Sequence, residues 1–115
     1  MSTSDSALQQ NLKILREHHG LTQDDVARFL NINRVVYNGY ERGTRTVPLV
    51  QLSALADLFG VDEIDLFEEN ADFQLINSNL NFRKDDLQPN DLAHIAYFQS
   101  YIKNFIKMVE LKNET

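Results

Sequence analysis

The sequence predicts an all-α fold: five short helices followed by a longer one. Three observations carry this. Apolar residues recur at spacings of three and four through most of the chain, the period of helices with one buried face. Three of the four glycines, Gly20, Gly43 and Gly60, fall just after such segments, where a helix C-cap favours positive φ. Only two prolines occur, and Pro48 and Pro89 each stand at the opening of a periodic segment.

The first helix is expected over residues 7–19, where Leu8, Leu12 and Leu15 repeat with Ile14 alongside, and Gly20 closes it. Thr22 is a good N-cap for the second, and Asp24 and Asp25 in its first turn suit the helix dipole. Val26, Ala27, Phe29 and Leu30 supply its buried face. Asn31-Ile32-Asn33 interrupts, and Asn33 can cap a third helix over residues 34–42 that ends at Gly43. After a loop at 44–47, Pro48 suits the first position of a fourth helix, with a core stripe of Leu52, Leu55, Ala56 and Phe59. Asp62 caps a short fifth helix carrying Ile64, Leu66 and Phe67. Residues 71–82 contain three asparagines and a partial alternation, which reads as an extended segment or short strand. The last helix spans residues 91–112. Ile95, Phe98, Ile102, Phe105 and Val109 recur on it at three, four, three and four, an a/d seam about two heptads long. Leu92, Tyr101, Ile106 and Met108 widen that apolar surface. The organisation is therefore a domain at 7–69, a connecting segment at 70–90 and a C-terminal oligomerisation helix at 91–112.

Composition narrows the function. The 115 residues, 43% hydrophobic and 24% charged, fit one ordinary domain with an appendage. The absence of cysteine excludes a disulfide framework and a Cys-based zinc site. No apolar run approaches the roughly 20 residues that cross a membrane. Residues 1–6 are small and polar and do not read as a secretory signal, so a cytoplasmic protein is expected. Catalysis finds no support: His18 and His19 are neighbours that point about 100° apart on a helix, and His94 has no second histidine near it. There is no HExxH, no glycine-rich phosphate loop and no nucleophile motif, and no metal or cofactor is expected.

Residues 22–43, TQDDVARFLNINRVVYNGYERG, hold the chemistry. Two short helices joined by a tight turn form a helix-turn-helix pattern. Ala27 allows close crossing, Ile32 plugs the turn, and Tyr37 and Tyr40 pin the second helix to the core. That leaves Arg34, Val35, Val36, Asn38 and Gly39 facing a partner. In order, Leu12-x-x-Leu15-Arg16, Gly20-Leu21-Thr22-Gln23, Val26-Ala27, Leu30-Asn31-Ile32-Asn33, Tyr37, Tyr40-Glu41-Arg42-Gly43, Pro48, Leu52, Leu55-Ala56 and Gly60-Val61 resemble the phage-repressor, or Cro-like (XRE), helix-turn-helix family. The resemblance implies a five-helix, lambda-repressor-like domain whose third helix lies in the DNA major groove. It implies that Gln23, at the start of the second helix, meets a backbone phosphate, although a plain first-turn helix residue explains it equally well. Asn33, Arg34 and Val35 fall at the early recognition positions; arginine suits guanine and valine a thymine methyl. Val36 and Asn38 come next, and asparagine suits adenine. Arg42 and Arg45 are candidate phosphate contacts. Glu41 reads as a structural, salt-bridging residue. Gly39 departs from the family, which usually carries a longer polar residue there. Either it lets the backbone approach DNA or a short helix simply tolerates it.

The tail, with Leu80-Asn81-Phe82-Arg83, Asp86-Leu87, Asp91-Leu92-x-x-Ile95-x-x-Phe98 and Asn104-Phe105-x-x-Met108-x-x-Leu111, looks like that of XRE regulators encoded beside ImmA/IrrE-type metallopeptidases. That resemblance implies dimerisation through the tail and its cleavage by the peptidase. The expectation is a dimeric repressor reading a pseudo-palindromic double-stranded DNA operator. The alternative is an antitoxin or adaptor whose tail holds a protein partner. The net charge of −6 disfavours general nucleic-acid binding, yet residues 34–45 carry three arginines and one glutamate while acids gather over residues 57–69.

Overall fold

Each short helix starts and stops on the capping residues that flank it. The computed structural model describes residues 3–69 and 91–113. It contains α1 (Thr3–His18), α2 (Gln23–Leu30), α3 (Arg34–Arg42), α4 (Leu49–Phe59), a 3-10 turn (Glu63–Phe67) and α5 (Asp91–Asn113). Thr22 and Asp25 form a reciprocal capping box: Asp25 N donates to Thr22 Oγ1 at 3.0 Å, and Thr22 N donates to Asp25 Oδ2 at 2.8 Å. Asn33 Oδ1 accepts from Val35 N at 2.7 Å at the start of α3. Gly43 and Gly60 close α3 and α4 in the left-handed conformation. Asn31 does the same for α2 at φ 59°, a place where asparagine replaces glycine.

Among the described residues the fold is all-helical, in agreement with the sequence, with three differences. α1 begins at Thr3, four residues before the apolar period does, because the period marks only the turns that bury a face. The fifth helix is a five-residue 3-10 turn, too short to close an α-helical ladder. Pro48 stands at the N-cap of α4, one residue outside the helix. The extended segment expected at 71–82, and the whole connection at 70–90, lie outside the described residues.

The core gathers Leu12 and Leu15 of α1, Val26 and Ala27 of α2, Tyr37 and Tyr40 of α3, and Leu55, Leu58 and Phe59 of α4. Asn11, itself buried, donates to the carbonyls of Leu66 (2.8 Å) and Glu68 (2.9 Å), which ties α1 to the 3-10 turn. His19, just past α1, is buried and stacks on Phe59 with ring centroids 5.7 Å apart. Its role in the structure is packing.

α5 lies along α4 and docks through an unexpected face. The contact stripe is Ala96, Gln99 and Lys103, with Leu92 and Ile106 half-buried beside it. Gln99 Nε2 donates to the carbonyls of Leu58 and of Asp57, the latter at 3.2 Å. Lys103 Nζ reaches the Val61 carbonyl (2.8 Å) and the Asp57 carboxylate (3.0 Å), and Lys107 pairs with Asp62 at 3.0 Å. Gln99 and Lys103 thus satisfy the carbonyls of Leu58, in the last turn of α4, and of Val61, just past it, while Lys103 and Lys107 place two cations at its negative pole. The expected seam remains outward. Phe98, Phe105 and Val109 are exposed, as are Tyr97, Tyr101, Met108 and Leu111, while Ile95 and Ile102 are half-buried. Among the described residues no helix is long and apolar enough to cross a membrane.

Candidate nucleic-acid interface

α3 is held from behind and open in front. Tyr37 and Tyr40 are buried, their rings edge to face at 6.0 Å, and the Tyr40 hydroxyl donates to Gln51 Oε1 on α4. Behind the turn, Ile32 N bonds the Ala27 carbonyl at 2.9 Å, and Ala27 is itself buried. The outward face carries Arg34, Asn38 and Arg42, four residues apart and therefore in one row along the helix. Val35 beside them is 68% exposed, large for a β-branched apolar side chain that gains nothing from water. Val36 is half-buried and packs partly on the core. Asn33 is exposed but its Oδ1 is engaged as the α3 cap.

Arg34, Arg42 and Arg45 are exposed, and none of the three pairs with an acid among the described residues. The other two arginines of residues 3–69 are committed: Arg28 to Asp24 and Asp25, Arg16 to Glu41. Among the described residues, the arginines left for an anion are thus Arg34 and Arg42 on α3 and Arg45 just after it.

Gly39 is buried, and the reason is local. Its carbonyl accepts from the amides of Gly43 (2.9 Å), Thr44 (3.0 Å) and Arg45 (3.2 Å), so the loop after α3 folds back over it. A Cβ there would meet the Arg45 side chain at 2.9 Å and Thr44 Oγ1 at 3.0 Å. The missing side chain seats Arg45; neither reading drawn from the sequence included this contact.

Under the face runs a polar chain that the sequence does not reveal. Arg16 grips Glu41 with two hydrogen bonds, Nε to Oε2 at 2.7 Å and Nη2 to Oε1 at 3.1 Å, and also donates to the Leu21 carbonyl at 2.9 Å. Gln23 Nε2 donates to Glu41 Oε1 and to Asn38 Oδ1, both at 3.1 Å. Gln23, expected at a phosphate, thus uses both amide hydrogens inside the protein. The Glu41 hydrogen bonds hold the Arg16 guanidinium above its ordinary range. Burial would raise the Glu41 carboxyl, but hydrogen bonds from Arg16 and Gln23 outweigh it and hold the group below the usual carboxylate value. Burial, with Glu41 nearby, pushes the Tyr37 phenol far up, so it stays neutral. The salt-bridging role expected of Glu41 is what the structure shows. Its partner and its reach to Gln23 lie 25 and 18 residues away, beyond any local spacing rule.

Residues 12–66 match the family HTH_3, described as helix-turn-helix. The chain is 34% identical over 61 residues to Antitoxin PezA of Streptococcus pneumoniae serotype 4 (strain ATCC BAA-334 / TIGR4). That match covers 53% of this chain and 39% of the relative, less than half of the relative's length. No solved structure matches the chain.

Proposed function

We propose, from a helix-turn-helix domain of the XRE type at residues 12–66, that the chain is a sequence-specific, double-stranded-DNA-binding regulator, a dimeric cytoplasmic repressor without enzymatic activity. One observation carries the reading: α3 is pinned by two buried tyrosines and turns Arg34, Val35, Asn38 and Arg42 outward, with Arg45 beside its end. Arg34 and Val35 at the start of the helix meet base edges. Arg42 and Arg45 hold phosphates and set the register. Two copies related by a two-fold axis read half-sites about one helical turn apart. The outward apolar face of α5, with Phe98, Phe105 and Val109 exposed and Ile95 and Ile102 at its edge, supports pairing.

The test is titration of labelled operator DNA, recovered from a random pool, at several salt concentrations. A regulator of this kind binds with nanomolar affinity and a steep salt slope, about −0.9 per phosphate neutralised. Arg34→Ala is expected to weaken cognate binding by about 1–3 kcal/mol and leave random DNA unchanged. Equal loss on both makes Arg34 a phosphate contact.

A second reading has an observation of its own. The similarity to a protein named an antitoxin, with the uncovered α5 face, fits a module whose tail holds a protein partner. An ImmA/IrrE-type metallopeptidase acting on the tail belongs to this reading and rests on the tail's resemblance alone. Weak, sequence-independent DNA binding together with a stoichiometric partner bound to α5 is the outcome that favours it.

A further inference from the structure

The chain of side chains behind α3 fixes which way its amides point. Glu41 is clamped by Arg16 and, as a carboxylate, can only accept hydrogen bonds. Gln23 must therefore turn its NH2 group to it, and it does so at 3.1 Å. The second hydrogen of that NH2 goes to Asn38, also at 3.1 Å, so Asn38 must present its oxygen inward. Its own NH2 group is then left over. Asn38 Nδ2 donates to no described residue, and Asn38 sits half-exposed in the outward row between Arg34 and Arg42.

We infer that Asn38 acts on DNA as a hydrogen-bond donor that selects guanine, and that Glu41, through Gln23, is the positioning residue that sets this polarity. The inference rests on the DNA-reading function proposed above. An asparagine free to rotate pairs with adenine, giving a donor to N7 and accepting from N6. With its oxygen engaged by Gln23, Asn38 offers two donors and a weakened acceptor. Guanine, with N7 and O6 side by side as acceptors, fits that pattern, and adenine's N6 donor does not. Adenine is the pairing that residue type alone implies; the hydrogen-bond chain reverses it. A core ion pair thereby writes part of the operator sequence without touching DNA.

Selection of bound sequences from a random duplex pool tests this with the full chain, its Asn38→Ala and Asn38→Asp variants, and Glu41→Gln. Wild type is expected to prefer guanine over adenine roughly ten- to hundredfold at one position of each half-site. Asn38→Ala removes that preference and leaves the other positions intact. Asn38→Asp, an acceptor only, shifts it to cytosine or adenine. Glu41→Gln, which can donate or accept, lets the amides flip and broadens that position alone, a change that loss of stability does not mimic. Adenine selected by wild type and lost in Asn38→Ala overturns the polarity. An Asn38→Ala logo identical to that of wild type overturns the assignment of Asn38. A wild-type protein that enriches no sequence removes the DNA reading itself, and this inference with it.

Discussion

Glu41 shows how much one side chain on α3 can hold. Its side chain is 4% exposed and that of Arg16 12%, so both charges are largely out of water and depend on each other. Removing one partner of such a pair leaves a buried charge uncompensated, which costs about 3 kcal/mol or more. Glu41→Ala is therefore expected to lower unfolding free energy by about that amount in urea denaturation at pH 7. The acid dependence has a definite sign. The folded Glu41 carboxyl titrates below its ordinary value, about 4.3 in an unfolded chain. Its contribution is thus complete at neutral pH and is lost as pH falls below that value through the lowered one. Wild type should lose stability over that window by more than Glu41→Gln does. Parallel acid profiles for the two proteins would show that the pair contributes nothing through ionisation.

Helix ends and buried faces were legible because they depend on near neighbours. Thr22 caps α2 three residues before Asp25, Asn33 caps α3, and Gly43 and Gly60 end their helices, all signals local enough to read from the chain. The outward arginines were legible for the same reason, since Arg34, Arg42 and Arg45 fall outside the apolar stripe that Tyr37 and Tyr40 mark. The docking of α5 was not. Its apolar period points to Ile95, Phe98, Ile102, Phe105 and Val109, but the stripe that binds the domain runs through Ala96, Gln99 and Lys103. Apolar periodicity is blind to a helix that docks by hydrogen-bonding the open carbonyls of another helix's end. The Gln23–Asn38–Glu41 chain was hidden likewise, since it joins two helices through tertiary contact. Gln99 gives a direct check at this scale. Gln99→Leu keeps the volume and raises apolarity, yet leaves the Leu58 carbonyl buried without a donor. A loss of about 1–3 kcal/mol is expected, read as a lower melting temperature. A stabilised Gln99→Leu would mean that α5 docks by apolar burial.

At the scale of the molecule, α5 is turned inside out. Lys103 and Lys107 face the domain and pair with Asp57 and Asp62. Its aromatic side faces away, with Tyr97, Phe98, Tyr101, Phe105, Met108 and Val109 exposed and no charge among them. For a chain of net charge −6, that uncharged strip is where two copies can meet without repulsion. Six such side chains offer on the order of 800 Å² per copy, close to the share each partner contributes to a standard interface. Under the proposed function, pairing also bears on DNA binding, because an acidic protein with, among the described residues, three unpaired arginines on and just after α3 gains little from non-specific attraction. A dimer doubles the phosphates contacted and with them the salt slope. Tyr101→Glu with Phe105→Glu puts charges on positions 61% and 55% exposed, so the domain should fold with unchanged helical signal. Sedimentation should then report a single 13.3 kDa chain, and the salt slope on operator DNA should fall by about half. A double variant that stays dimeric puts the interface elsewhere. A wild type that is already monomeric, with affinity unchanged by the two substitutions, leaves the α5 face to a different protein, as the antitoxin-like reading requires.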